Sequence, residues 1–354
     1  MFDYSKLSPD QALLEAQKIA FGPIVFQSAR LLRDWGIFEL LQKEKEGLNI
    51  AKIAKECSLS EYATEILCES GFSMGALEFK DEKYTLTKIG YFLLNDEMTI
   101  SNMNYNHDVN YLGLFYLDES LKAEKPIGLQ KAFNTDEPTI YPLLTKLPKR
   151  AKESWFGFDH FYSDAAFKSL VEIMAKKEIK NMLDVGGNTG KWAIALTQKS
   201  PETTVTILDH QPQIDVALQN ANKAGVANRV KGYPINLLDH TLPFPSPVDA
   251  VWMSQFLDCF GKNDIINLLR RAKNALNNNG KVYIVEPFWD RQTHDIGSYI
   301  LINTSQYFNA LANGKSKMYR ASEFEEFTKN AGLKIIEEID GFGFGHTLMI
   351  CEAI

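Results

Sequence analysis

The sequence predicts a mainly helical N-terminal half followed by a doubly wound α/β half. Apolar residues recur at helical spacing from Pro9 to about Leu41. A short two-stranded element is expected between Leu77 and Leu86. After Lys180, β-rich runs alternate with helical segments, the pattern of a parallel sheet covered by helices on both faces. With 354 residues, 45% of them hydrophobic, the chain can bury more than one core. We divide it into a helical domain (1–98), a helical connector and lid (99–177) and an α/β domain (178–354).

In the first segment, Leu13, Leu14, Ile19, Ile24, Val25, Leu31, Leu32, Ile37 and Leu40 mark two or three helices, broken at Gly22-Pro23 and at Gly36. A short helix follows from Leu48 to Ala54, and Ser60 caps a longer one running to Phe72. Leu77–Phe79 and Tyr84–Leu86 flank the turn Lys80-Asp81-Glu82-Lys83 and complete a winged helix. Such a wing often reads DNA, but the helix before it carries Glu61, Glu65 and Glu69 and has no Lys or Arg from Ser60 to Phe79 to meet phosphates. Packing or subunit contact is the expected role. The connector is rich in aromatics, among them Tyr105, Tyr111, Phe115, Tyr141, Trp155 and Phe161. Most of these fill core, and a few are expected to line a pocket for a flat substrate.

Charge and cysteine usage narrow the function classes. A net charge of −7 disfavours nucleic acid as a partner. Asp3, Lys6, Asp10 and Glu15 interrupt the N-terminal apolar residues, so no signal peptide is expected. No apolar run is long enough to span a membrane, so a soluble cytoplasmic protein is expected. Cys57, Cys68, Cys259 and Cys351 lie far apart, without zinc-ligand spacing, and read as reduced thiols; no metal is expected.

The β-rich runs are 181–185, 204–208, 229–233, 248–253 and 281–285. The first ends in Leu183-Asp184-Val185-Gly186-Gly187-Asn188-Thr189-Gly190 and leads into a helix from Lys191. Glycines there let the backbone approach a ligand and turn sharply into a helix whose N–H groups face the crevice. The run Gly186–Gly190 does not satisfy the GxGxxG spacing of a nicotinamide site. Asp209, about 20 residues on, suits the two hydroxyls of a ribose, and Asn236 is a third polar candidate in the same crevice. Together they point to an adenosyl ligand.

MLDVGGNTG, ILDHQP, VWMSQFLD and KVYIVEP occur in an order and spacing that resembles the O-methyltransferases typified by plant caffeic acid methyltransferases and their bacterial relatives. The resemblance covers nearly the whole chain. It implies a winged-helix dimerisation domain, a Rossmann-like catalytic domain, S-adenosylmethionine as cofactor, a small-molecule acceptor and a homodimer. Asp184, Gly186, Gly187 and Gly190 correspond to the cofactor loop, Asp209 to the ribose acceptor, Asn236 and Leu237 to the pair bracketing adenine, and Ser254 to the wall of the same pocket. Relatives commonly have Asp where Asn236 stands, but an amide can still donate and accept.

Methyl transfer needs an acceptor oxygen aligned with the methyl group and relieved of its proton. In the resembled family a histidine after the fourth strand takes that proton, and here Asp258 stands in its place. An isolated carboxylate faces a gap of ~8 kcal/mol to a phenol, against ~5 for an imidazole. Glu286, ending IVEP, is expected beside Asp258, where two carboxyls would raise one pKa toward the useful range. The Asp258/Glu286 pair is the first catalytic candidate, with capping as the other role open to Asp258. His160 is the second candidate, as a base or as a packing histidine, and His294 has no assignable role. The family also places a glutamate near 313–319, which has no counterpart here. Three other readings share the motifs: a cofactor-binding relative with different chemistry, a regulatory protein that senses an adenosyl ligand, and a nicotinamide dehydrogenase.

Overall fold

The computed structural model describes residues 2–144 and 146–354 and divides into two compact units, Phe2–Asp108 and Val109–Ile354. The expected boundary at 98 and the observed division at 108 bracket one helix, which closes the first unit.

That unit is built from α1 (Pro9–Ala20), α2 (Gly22–Asp34), α3 (Ile37–Lys43), α4 (Ile50–Glu56), α5 (Glu61–Ser73), β1 (Leu77–Lys80), β2 (Lys83–Leu86), α6 (Lys88–Asn95) and α7 (Glu97–Tyr105). The breaks fall where the glycines stand: Gly36, at φ +79°, starts α3 in a conformation that L side chains avoid. Ser60 caps α5 by accepting from the Ala63 N–H at 3.1 Å, and β1 and β2 form the expected antiparallel hairpin. Leu32, Ile37, Phe38, Leu41, Ile53, Leu67, Leu77 and Tyr84 form its core. By contrast, α1 buries none of its residues.

The second unit opens with α8 (Leu117–Ala123), α9 (Ile127–Phe133) and the long α10 (Lys149–Met174). Then come β3 (Asn181–Val185), α11 (Lys191–Lys199), β4 (Thr204–Asp209), α12 (Gln211–Lys223), β5 (Val230–Pro234), β6 (Val248–Ser254), α13 (Lys262–Ala275), β7 (Leu276–Pro287), α14 (Asp295–Tyr307), α15 (Ala321–Asn330), β8 (Leu333–Phe342) and β9 (His346–Ala353). They make a seven-stranded sheet of order β5-β4-β3-β6-β7-β9-β8. Pairing is parallel from β5 to β7, while β9 runs antiparallel to both β7 and β8. The five expected strands are all present. The two antiparallel strands are an addition to the expected runs, joined through Gly343, Phe344 and Gly345.

Strand order reverses at β3, which lies between β4 and β6, so the carboxyl ends of β3, β4, β6 and β7 surround one crevice. Hydrophobic layers cover both faces of the sheet. On one, Trp192 of α11 lies flat on Trp252 of β6, with ring centroids 3.8 Å apart and planes within 2°. Both rings are buried. Trp192→Ala removes that stack and leaves a void, so urea denaturation should register a loss of ~3–5 kcal/mol; a loss below ~1 kcal/mol would mean that the layer closes over the gap.

Candidate functional site

The loop after β3 owes its shape to glycine. Gly186 sits at φ +74° and Gly190 at φ +79°, and a Cβ on Gly186 would overlap the Phe256 ring. Gly187 rides over Asp184, whose Oδ2 would lie 2.6 Å from an added Cβ. Asn220 of α12 donates to the Thr189 carbonyl at 3.1 Å and ties the loop down. The result is open backbone at the start of α11, directly above the sheet.

Asp184 lies beneath this loop, with Oδ2 lacking any partner. Burial, and then the charge of Asp209, push its carboxyl up to about 8. Asp209 closes β4 and accepts from the Asn188 N–H at 3.0 Å and from the His210 N–H at 2.7 Å. Burial pushes this carboxyl up against the pull of those two donors. An ionised carboxylate has about four acceptor directions, so lone pairs remain for a diol. Ser254, at the end of β6, presents a buried hydroxyl without a partner. Asn236 is exposed, and its Oδ1 accepts from the Leu238 N–H at 3.1 Å. The Leu237 side chain belongs to the same buried cluster as Leu208, Ile235 and Phe244, because the chain after β5 turns it inward.

Across the crevice, Gln255 follows β6 in a left-handed conformation, φ +51°, and donates its N–H to Val285 of β7 at 2.8 Å. The next two N–H groups, of Phe256 and Leu257, both donate to Oε1 of Glu286, at 3.0 and 2.8 Å. Glu286 is 1% exposed, and its Oε2 has no partner. Burial, and then Asp258, push its carboxyl well above the usual range, against the pull of the backbone N–H donors. Glu286 thus holds the turn that carries Asp258. Asp258 is 8% exposed with an unpartnered Oδ1. Burial, opposed by Cys259 and reinforced by the charge of Asp159, pushes it up to about 6.

The stretch 313–319 supports the same turn without a carboxylate: Asn313 Nδ2 donates to the Cys259 carbonyl at 2.9 Å and the Tyr319 hydroxyl to that of Phe260 at 2.7 Å. The Tyr141 hydroxyl is buried beside Cys259.

His160 stands on the outer side of α10. Its ring is 46% exposed, with Nδ1 2.9 Å from Lys191 Nζ and 4.0 Å from Asp164. One uninterrupted helix, α10, sets this: positions 156, 160 and 164 share one stripe, and positions 155, 159 and 163 share the next. Asp159 is on the second stripe, and its charge acts on Asp258. The motif Phe158-Asp159-His160 does not single out Asp159; the phase of one continuous helix does. His294 caps α14 at the surface.

Residues 13–84 match the Dimerisation2-like domain, and residues 160–334 match the O-methyltransferase domain. The chain is 27% identical to the L-tyrosine C(3)-methyltransferase of Streptomyces lavendulae, over 89% of this chain and 85% of that one. Its fold is that of the S-adenosylmethionine-dependent methyltransferase SibL, with TM-score 0.70 at 23% identity, covering 95% of this chain and 98% of the other. It is also that of NcsB1, an O-methyltransferase from neocarzinostatin biosynthesis solved with S-adenosylmethionine and a hydroxynaphthoic acid, with TM-score 0.65 at 17% identity over 93% and 96% of the two chains.

The raised carboxyls carry a stability signature. Asp184 binds its proton more tightly when folded than when unfolded, so its contribution is full below about pH 4 and is lost as pH rises through about 8. Asp184→Asn should flatten this decline and leave the variant more stable than the parent at pH 8.5, by more than ~1 kcal/mol in urea denaturation. Identical pH profiles for the two proteins would show that Asp184 is not protonated in the fold.

Proposed function

The chain belongs to the S-adenosylmethionine-dependent O-methyltransferase family, and from that premise we propose that it transfers a methyl group to the hydroxyl of a small aromatic acceptor, with Asp258 taking the proton. The observation that carries this is the convergence, at the carboxyl ends of β3, β4, β6 and β7, of a glycine-shaped ribose site with a buried carboxyl that has an unpartnered oxygen.

The residues present fit the cofactor. Gly186 and Gly187 leave space that a Cβ would fill, Asp209 offers acceptors to a diol, and the Ser254 hydroxyl and Asp184 Oδ2 lack protein partners. When bound, S-adenosylmethionine supplies an electrophilic methyl on a positively charged sulfur. Everything else falls to the chain: Asp209 anchors the ribose, Asn236 borders the adenine pocket, and Leu237 packs beneath it. Glu286 fixes the turn after β6, and Asp258 removes the hydroxyl proton as the oxygen approaches the methyl. Asp258 must be ionised to act, so activity should rise with pH through about 6.

The relative from S. lavendulae is named for methylation at carbon 3 of tyrosine, which favours a second reading with the ring carbon beside a phenolic oxygen as acceptor. The carbon or oxygen linkage of the methyl in the product, read by NMR, separates the two.

The N-terminal unit is proposed to be a winged-helix dimerisation domain. Leu13, Leu14, Ile19 and Ile24 are all exposed on α1 and α2, and a second copy of this unit would cover them. Residues 99–177 are proposed as connector and lid, and 178–354 as the cofactor domain, in a cytoplasmic protein without a nucleic-acid or membrane partner.

Calorimetric titration with S-adenosylhomocysteine and NAD tests the cofactor: micromolar binding of the first alone, weakened at least ~30-fold in Asp209→Ala, is expected. No binding of S-adenosylhomocysteine by the parent overturns the proposal. Asp258→Asn should lower kcat by ~10²–10⁴ and abolish the rise of activity near pH 6, and an unchanged profile would remove Asp258 from the proton path. Sedimentation should show a dimer that the double variant Leu13→Lys, Ile19→Lys converts to monomer; a parent monomer would remove the dimer.

A further inference from the structure

The acceptor side of the crevice carries more negative charge than the transfer of a methyl group to a phenol requires. Trp155, Asp159 and Ser163 recur at four-residue intervals and so share one face of α10. Two contacts fix where that face points. Trp155 Nε1 donates to the Tyr307 hydroxyl at 2.8 Å, and the Ser163 carbonyl accepts from Gln255 Nε2 at 3.4 Å, in the turn that leads to Asp258. Asp159 lies between these anchors and over that turn, close enough for its charge to act on Asp258.

Three carboxyls therefore meet at the end of the site: Asp159, Asp258 and Glu286. Among the described residues, no arginine or lysine forms an ion pair with any of them. His160 and Lys191 act on Asp159 from the outer stripe of the helix without pairing with it, and Lys191 is itself held at 3.0 Å by Asp164. Two of the carboxyls keep an oxygen without a partner although the residues are more than nine-tenths buried: Oδ1 of Asp258 and Oε2 of Glu286. Oε1 of Glu286 is committed to the Phe256 and Leu257 N–H groups. Asp159 and Asp258 remain as two mutually repelling groups with aromatic walls beside them. Burying like charges without a counter-ion is costly, and a cation seated against them offsets that cost.

We propose that the acceptor carries a basic nitrogen, bound as an ammonium by Asp159, which leaves Asp258 to take the proton from the reacting hydroxyl. This rests on the methyltransferase reading and names the substrate class for it: an aromatic hydroxyl compound with a protonated amine. An ammonium brings three donors to a carboxylate and keeps both Asp159 and Asp258 ionised. The division of labour is one charge for binding and one for proton transfer. An acceptor with a carboxylate in the same position would add a fourth acidic group and be repelled.

The test is calorimetric titration of the intact protein saturated with S-adenosylhomocysteine, using three phenols of similar size: tyramine, 4-propylphenol and 3-(4-hydroxyphenyl)propanoate. Tyramine should bind at least ~10-fold more tightly than 4-propylphenol, with the carboxylate compound weakest. In Asp159→Asn the tyramine advantage should fall below ~3-fold while S-adenosylhomocysteine binds as in the parent, which also reports an intact fold. The proposal is overturned if tyramine binds no better than 4-propylphenol in the parent, or if its advantage survives in Asp159→Asn. It is likewise overturned if Asp159→Asn instead removes a preference for S-adenosylmethionine over S-adenosylhomocysteine, because the carboxylate then serves the cofactor's charged sulfur. Failure of S-adenosylhomocysteine itself to bind the parent fells the underlying reading along with it, whereas a bound cofactor without amine preference fells this inference alone.

Discussion

The arrangement depends on the position of β3, paired in parallel with β4 on one side and β6 on the other. Parallel strands need crossovers, and the helices that provide them leave the carboxyl ends of the strands free on one edge. The reversal of order at β3 opens a crevice between the loops after β3 and β4 and those after β6 and β7. Asp209 and Asp258 are far apart in sequence and meet across that crevice for no other reason. Inserting β9 antiparallel next to β7 then shields the strand that carries Glu286, whose register partner is Thr347.

Glu286 shows how a carboxyl can serve chemistry without performing it. Its Oε1 receives two successive N–H groups from the turn after β6, an arrangement resembling a helix N-cap supplied from the neighbouring strand. Gln255 holds a backbone conformation unusual for a residue with a side chain, and that conformation persists because both the Val285 carbonyl and Glu286 constrain the turn. Asn313 and Tyr319 brace the other side through carbonyls. The turn is thus a rigid mount on which Asp258 sits in a dry, acidic setting. Burial is what moves that aspartate toward a useful pKa, and Asp159 adds to the effect.

The sequence by itself determined the order and type of most elements. Gly22-Pro23, Gly36 and Ser60 act locally, through φ preference and hydrogen bonds to near neighbours, and so do the glycines of the loop after β3. The β-rich runs declare a parallel sheet by composition and spacing alone, and Asp209 follows from its distance after the glycine loop. Other features needed the tertiary structure. The edge strands β8 and β9 are joined by a glycine- and phenylalanine-rich turn whose character emerges only when Phe344 stacks on Phe161 of α10 at 4.6 Å. The burial of Leu237 depends on the turn after β5, which no short motif specifies. The side of α10 that carries Asp159 and the side that carries His160 are set by the rotation of the helix on the sheet, a packing property that no short motif encodes. The upward shift of the Asp184, Asp258 and Glu286 carboxyls is likewise a tertiary outcome, because desolvation and the proximity of like charges exist only once remote segments have closed around them.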